Sequence, residues 1–189
     1  MADLITLGEL RSIYGFTIAS GGKTEAMYEA LIRSASQACT NFVGRDLALG
    51  PVVEFQDGNG HDRFILDCTP VASVDSISVD PLHRFGTSLS PDRYRFDAET
   101  GIVTLYGIIV PAVKDCIRIA YTAGYDPIPD DVKAAVADTI QMMARRLTGV
   151  AGGVTSRTMA DGGTEQLETV APTDYAKFLL RAYRRNVVR

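Results

Sequence analysis

The residues best suited to phosphate chemistry are Gly22-Lys23-Thr24, which match the end of a phosphate-binding loop. In such a loop the backbone N–H groups and the lysine hold phosphates, and an aspartate such as Asp67 would serve the magnesium ion. The full pattern needs a glycine five positions before Gly22, and Thr17 stands there. A buried strand should also precede the loop, whereas residues 7–15 have a helical pattern. We therefore interpret Thr24 as a helix cap and predict no nucleotide site.

Cysteine and histidine side chains could hold a metal or act as nucleophile and base if their spacing brought them together. None of them forms a Cys-x-x-Cys or His-x-x-x-His pair; they are Cys39, His61, Cys68, His83 and Cys116. The sequence contains no Gly-x-Ser-x-Gly elbow, although chain order alone leaves open a nucleophile beside a histidine. Asp130 and Asp131 suit the start of a helix. The sequence therefore predicts no catalytic residue, no cofactor, no metal site and no enzymatic activity.

The strongest charge feature is the basic C-terminal segment. Residues 174–189 carry five cationic side chains against Asp174, a net of +4, which leaves −8 for the rest of a chain whose total is −4. Residues Tyr175, Phe178, Leu179, Ala182 and Tyr183 form the apolar face of the predicted helix. Three interpretations remain equal at this point: a helix packed on its own domain, a helix that contacts nucleic-acid phosphates, or a helix that docks into a partner protein.

Length and composition indicate an ordinary globular protein. The chain has 189 residues, 46% hydrophobic and 22% charged, which suits one domain with an appendage. No run of 18 apolar residues is present, so we expect no membrane span, and the N-terminus has no secretory pattern. Three cysteines give no disulfide framework, so a reducing cytoplasm is expected as the site of synthesis.

Helical patterns occur at three places before the C-terminal segment. Thr6 and Glu9 form a capping box for a short helix, and a longer helix is predicted over residues 24–43. A third helix, over 130–147, follows a strand over 116–121 and a corner that contains Gly124 and two prolines. Its predicted apolar stripe consists of Val132, Val136, Ile140, Met143 and Leu147. We expect this strand–corner–helix unit to organise the fold.

Two-residue periodicity between the two long helices predicts short strands. Residues 52–56 and 63–68 are expected to form one hairpin, 94–96 and 102–105 another, with a further strand at 76–79. The predicted fold class is α+β, with a mainly antiparallel sheet of five or six short strands packed with two long helices, plus a C-terminal arm and helix. The predicted organisation is a body over residues 1–149, a flexible Gly-rich linker or arm over 150–171 and a basic C-terminal docking helix over 172–189.

The order of these elements resembles the head–tail connector (adaptor) family of tailed double-stranded DNA bacteriophages and gene transfer agents. The segments that carry the resemblance are Leu4-Ile5-Thr6-Leu7-Gly8-Glu9-Leu10, Leu31-Ile32-Arg33-Ser34-Ala35-Ser36, Phe42-Val43-Gly44-Arg45, Leu66-Asp67-Cys68-Thr69-Pro70-Val71, the hairpin over 94–105, Ile119-Ala120-Tyr121-Thr122-Ala123-Gly124-Tyr125, Pro129-Asp130-Asp131-Val132-Lys133-Ala134-Ala135 and Leu180-Arg181-Ala182-Tyr183-Arg184-Arg185.

This resemblance implies a structural virion protein at the head–tail junction, synthesised in the cytoplasm of the bacterial host. Copies would form a homo-oligomeric ring, usually dodecameric, below the portal protein. The ring would extend the DNA channel, through which DNA passes without specific binding, and would join the capsid to a tail-side head-completion or stopper protein. The alternative is a small nucleic-acid-binding or regulatory protein that uses the basic C-terminal helix.

The resemblance also implies a portal contact through the C-terminal helix. The predicted apolar anchors are Tyr175, Phe178, Leu179 and Tyr183. Arg181, Arg184 and Arg185 would meet acidic groups on the portal.

Overall fold

The computed structural model describes residues 3–18, 23–147, 156–158, 164–166 and 172–184. The chain divides into two compact units, which we describe separately: residues 1–45 with 127–189, and residues 46–126. The predicted body over residues 1–149 contains the whole of the second unit and part of the first.

Helices make up the described core of the first unit. They are α1 (Leu7–Ser12), α2 (Lys23–Val43), α3 (Asp130–Leu147) and α4 (Asp174–Leu180), which continues into a 3-10 turn at Arg181–Tyr183. Helix α2 packs against α1, α3 and α4, and α3 also packs against α4. The predicted capping box is confirmed, because Glu9 N–H donates to the Thr6 hydroxyl and Thr6 N–H donates to the Glu9 carboxylate at 2.8 Å.

The two long helices occupy the predicted ranges, but their buried faces differ slightly from the predicted ones. In α3, Val132, Val136 and Ile140 are fully buried as expected, whereas Leu147 is 63% exposed at the last residue of the helix. In α2 the buried face contains Leu31, Ala35, Cys39 and Val43. The helical pattern of the sequence predicts a stripe that continues through Ala38 and Phe42. These two residues are half-buried, because the buried face passes through their neighbours Cys39 and Val43.

Strands form the second unit, and all of their pairings are antiparallel. They are β1 (Gly50–Gln56), β2 (Arg63–Ile65), β3 (Val71–Val79), β4 (Tyr94–Phe96), β5 (Ile102–Leu105) and β6 (Ile117–Ala123). One sheet has the order β1-β6-β3 and the other the order β2-β5-β4. The α+β class and the number of short strands are confirmed, but the six strands are divided between two three-stranded sheets.

The predicted hairpin between residues 52–56 and 63–68 is wrong. Strand β1 pairs with β6, and β2 pairs with β5. The loop between β1 and β2 does not form a tight turn, because its backbone forms hydrogen bonds with a distant segment. Gly58 N–H donates to Val113 O at 2.8 Å, and Gly60 N–H donates to Val110 O at 3.0 Å. The second predicted hairpin, β4 with β5, is confirmed.

A single hydrophobic cluster joins the two sheets of the second unit. Strand β6 alternates as predicted, with Ile117, Ile119 and Tyr121 buried. The cluster also contains Phe64, Val103 and Leu105 of the sheet β2-β5-β4. The phenol of Tyr121 inside it donates to the Glu54 carboxylate at 2.7 Å, so this buried hydroxyl is satisfied.

The predicted linker over residues 150–171 is described only in part. Strands β7 (Ser156–Thr158) and β8 (Thr164–Gln166) pair antiparallel within it. The remaining residues on which the prediction of a flexible arm depends lie outside the described part of the chain. Among the described helices, none has the length and apolar character needed to cross a bilayer.

Candidate protein-docking surface

Helix α4 begins with a well-formed cap. Ala176 N–H donates to the Thr173 hydroxyl at 3.0 Å, which satisfies one free N–H group of the first turn. The same hydroxyl donates to the Asp138 carboxylate of α3. Since Thr173 is 5% exposed, the start of α4 is fixed to α3 by a partly buried, charge-assisted hydrogen bond.

The inward face of α4 differs from the predicted apolar face. Ala176 and Leu180 are fully buried, four residues apart on one side of the helix. Tyr175 and Phe178, predicted to share an apolar face with Leu179 and Tyr183, lie outside this core and are 58% and 66% exposed. Because α4 packs on both α3 and α2, the described helix is part of the first unit rather than a free appendage.

Tyr183 is held inside the first unit. Its phenol donates to both oxygens of the Asp131 carboxylate, at 2.7 and 2.8 Å, and its backbone carbonyl accepts from Arg45 Nε at 3.0 Å. A side chain that is engaged on its own unit is poorly placed to anchor a partner. The structure therefore shows that Tyr183 holds the end of α4 on its own unit, and its predicted role in docking stays a prediction.

Two aromatic side chains of α4 remain directed away from the core. Tyr175 and Phe178 are three residues apart and both are more than half exposed, while Leu179, which follows Phe178, is half-buried. Tyr175 also contributes to raising the pKa of Tyr14, after the larger effects of burial and of Asp130. We name Tyr175 and Phe178 the aromatic pair of α4.

The predicted cationic contacts lie in different surroundings. The Arg184 guanidinium lies 5.7 Å from the centre of the Phe42 ring, a cation–π contact within the first unit. Arg181 is exposed, and its charge helps to lower the pKa of Asp174, whose largest cause is the hydrogen bond from Lys177. Arg185 lies outside the described residues. Arg181 and Arg184 are thus both exposed; Arg181 follows Phe178 by three residues, whereas Arg184 lies over Phe42.

No local pattern in the sequence identifies the residues that hold α4 on its own unit. Asp131 is explained by the helix dipole at the start of α3, Asp138 lies within the same helix, and Arg45 follows the end of α2. Their partners, Thr173 and Tyr183, are far away in the chain. Only the tertiary structure brings these groups together.

The cysteine and histidine candidates lie in separate surroundings. Burial raises the pKa of the Cys39 thiol to about 11, so it is a poor source of thiolate at neutral pH. The His83 ring nitrogen Nε2 is 2.8 Å from the Lys114 carbonyl oxygen in an exposed loop. Within the described part of the chain, no three His, Cys, Asp or Glu side chains are grouped as metal ligands.

Comparison with known proteins gives two kinds of match. The sequence model of the family described as HCP, head completion protein, matches residues 3–185. No curated protein matches the sequence.

The fold is similar to chains of solved particle structures. A chain in the neck of an empty GTA particle computed with C6 symmetry has a TM-score of 0.64 and 17% identity, and the match covers 100% of this chain and 95% of that one. A chain in the neck of a native GTA particle computed with C12 symmetry has a TM-score of 0.57 and 17% identity, with coverages of 87% and 89%. A chain in the virion of a native gene transfer agent particle has a TM-score of 0.58 and 19% identity, with coverages of 93% and 85%.

Proposed function

Because the chain belongs to the head completion protein family, we propose that it is a structural adaptor that joins the capsid to the tail. It acts as a ring below the portal and extends the DNA channel toward the tail. The observation that carries this proposal is the family match, which spans residues 3–185 and thus nearly the whole chain.

A ring is the form of assembly that a channel at the head–tail junction requires. The chains of similar fold lie in particle necks that were computed with C6 and C12 symmetry, which supports a cyclic assembly. The proposed ring has twelve copies, the number that C12 symmetry would give. We assign the chain to the head–tail junction of a virion or gene transfer agent particle. Its partners there are the portal protein, further copies of itself and a tail-side head-completion or stopper protein.

The proposed portal contact uses the outward side of α4. Tyr175 and Phe178 supply exposed aromatic area, of the kind that contributes most at protein interfaces, and Arg181 supplies charge next to it. Leu179 is half-buried and forms the edge of this surface. Arg184 and Arg185 follow directly in the chain, and residues 150–171 connect the docking helix to α3.

Passage of DNA without specific binding agrees with the charge of the second unit. Residues 46–126 contain 12 acidic and 6 basic side chains, a net charge of −6. A surface of this sign repels phosphates and does not retain DNA. The proposal assigns no catalytic step and no cofactor to the chain, and no observation favours the nucleic-acid-binding alternative.

The experiment that tests this function removes the gene for the chain from a particle-producing strain. We expect DNA-filled heads and separate tails, with joined particles restored when the chain is supplied in trans. Electron microscopy of restored particles should show the chain as a ring between portal and tail. Normal tailed particles in the deletion strain, or a location of the chain elsewhere in the particle, would overturn the proposal.

A further inference from the structure

The sheet β2-β5-β4 has an outward face that combines cationic and apolar side chains. Strand register aligns Arg63, Thr104 and Arg95 in one row across the three strands. The adjacent row aligns Ile65 with Ile102. Because residues two apart in a strand lie on the same side of a sheet, these five side chains share one face. We name them the Arg–Ile face.

The opposite face of this sheet belongs to the core, which fixes the orientation of the Arg–Ile face. Phe64 and Val103 are buried in the hydrophobic cluster of the second unit, and Phe96 packs against it. The alternate positions therefore point away from the core. Ile65 is 61% exposed and Ile102 is 38% exposed, so two adjacent branched apolar side chains lie open to solvent.

The two arginines of this face are weakly engaged within the described part of the chain. Arg63 is 4.0 Å from the carboxylate of its neighbour Asp62, with both side chains more than half exposed. Arg95 makes no hydrogen bond or ion pair with a described residue, and its effect on the pKa of Asp97 is the smallest of several causes. Both guanidinium groups are therefore free to meet carboxylates from another molecule.

We propose that the Arg–Ile face binds an acidic surface on a second copy of this chain, as one side of the contact between neighbours in the ring. This inference rests on the proposed function. A ring contact is heterologous, so each copy offers two different surfaces to its two neighbours. Copies whose second unit carries a net charge of −6 repel one another unless a cationic patch lies at the contact.

The composition of the face favours a protein partner over DNA. Exposed isoleucines gain stability when a partner excludes water from them, and the arginines in the adjacent row then select an acidic surface. Groups that bind the DNA backbone instead present polar and cationic side chains throughout. Ile65 and Ile102 pair in a row on β2 and β5, and their side chains offer nothing to a phosphate.

Charge reversal tests the cationic part of this contact. Arg95→Glu places a negative charge against the acidic surface of the neighbour, so we expect the number of copies incorporated per particle to fall about tenfold or more. Arg33→Glu makes the same charge change at an exposed position of α2 and should leave incorporation within about twofold of wild type. Equal incorporation of the Arg95→Glu and Arg33→Glu variants would overturn the proposal.

Photocrosslinking identifies the occupant of the face directly. With p-benzoylphenylalanine in place of Ile65, irradiation of assembled particles should give covalent dimers of this chain, identified by mass spectrometry. A crosslink to the portal, to a tail protein or to DNA, or assembled particles that give no crosslink, would overturn the proposal and leave the adaptor function intact. Complete absence of the wild-type chain from particles would overturn the adaptor function, and with that function the proposed contact between neighbouring copies.

Discussion

The phenol of Tyr183 donates to both carboxylate oxygens of Asp131, at 2.7 and 2.8 Å. This pair connects the 3-10 turn that follows α4 to the first turn of α3, while the Thr173 cap of α4 donates to Asp138. Helix α4 is thus fixed at both ends, and its fully buried residues, Ala176 and Leu180, lie between the two attachments. The helix that we propose for portal docking is therefore also a structural part of its own unit.

Tyr183→Phe should destabilise the protein by about 1–2 kcal/mol, because it removes a hydrogen bond to a charged group and leaves the carboxylate of Asp131 with one donor fewer. Urea denaturation of the purified chain measures this change. Tyr175→Phe is the matched control: its hydroxyl is on a 58% exposed side chain, and we expect a change within about 0.5 kcal/mol. Equal stabilities of the two variants would contradict the fastening role of Tyr183.

Leu180→Ala should cost about 2–4 kcal/mol, because Leu180 is fully buried and its truncation leaves a cavity between the helices. Phe178→Ala, two residues earlier, removes a larger side chain from a 66% exposed position and should change stability by about 0.5 kcal/mol or less. Thermal unfolding of both variants gives the comparison. A Phe178→Ala variant that is the less stable of the two would show that the packed face of α4 is assigned wrongly.

Local signals account for the parts of the fold that were predicted correctly. The capping box of Thr6 and Glu9, the start of α3 after Pro129 and the alternation in β6 each depend on residues a few positions apart. The pairing of β1 with β6 depends instead on contacts between segments far apart in the chain. The turn residues that follow β1 are typical of a hairpin loop, and this favoured the wrong prediction of a hairpin with residues 63–68. No local pattern indicates that Gly58 and Gly60 donate to carbonyl groups of a distant segment.

The docking surface was predicted only in part, for a physical reason. Helix α4 has seven residues, of which Asp174 and Lys177 share one polar side and the other five are apolar. Because the apolar residues cover more of the helix than its neighbours can bury, the sequence does not show that Ala176 and Leu180 are buried while Tyr175 and Phe178 are exposed. The Arg–Ile face could not be found from the sequence either, since it requires the register of three strands.

The ion pair of Glu9 with Lys133 predicts a pH dependence with a definite sign. The 2.5 Å contact with Lys133, followed by hydrogen bonds from Thr6, lowers the pKa of Glu9 below its ordinary value of 4.5. A lowered pKa in the folded state means that this stabilisation is present above pH 4.5 and is lost as the pH falls through the folded-state value.

Glu9→Gln should therefore be less stable than wild type at neutral pH, and the difference should shrink as the pH is lowered from 4.5. Denaturation midpoints of both proteins between pH 7 and strongly acidic conditions measure this convergence. Glu29→Gln, at an exposed position of α2, is the control for loss of one carboxylate. A constant difference between Glu9→Gln and wild type at every pH would contradict the assignment.

Gly58→Ala should severely destabilise the second unit. A Cβ atom added at Gly58 would lie 1.7 Å from the carbonyl oxygen of Pro111 and 2.8 Å from Cys116 Sγ, so backbone has to move. We expect a loss of about 3 kcal/mol or more, or no folded protein. At Gly86 no heavy atom lies within 4 Å of an added Cβ atom, so the stability of Gly86→Ala should remain near that of wild type. Circular dichroism during urea titration distinguishes the two; a fully stable Gly58→Ala variant would contradict the close approach of these segments.

The proposed portal contact predicts a loss of binding without a loss of folding. Tyr175→Ala with Phe178→Ala removes the aromatic pair of α4 and leaves Ala176 and Leu180 in place, so the unfolding free energy should fall by about 1 kcal/mol at most. Capture of the variant by purified portal should fall about tenfold or more, because buried aromatic anchors dominate interface energies. Arg184 is left unchanged, since its contact with Phe42 would mix stability with binding.

The matched control is Ile13→Ala with Leu147→Ala, which removes two side chains of the same unit that are 62% and 63% exposed. This variant should bind portal within about twofold of wild type, because both residues lie outside α4. Quantitative pull-down at fixed salt, with urea denaturation of the same preparations, separates binding from folding. If the variant without the aromatic pair binds portal as wild type does, α4 does not supply the portal contact, and its exposed aromatic residues must serve another surface of the particle.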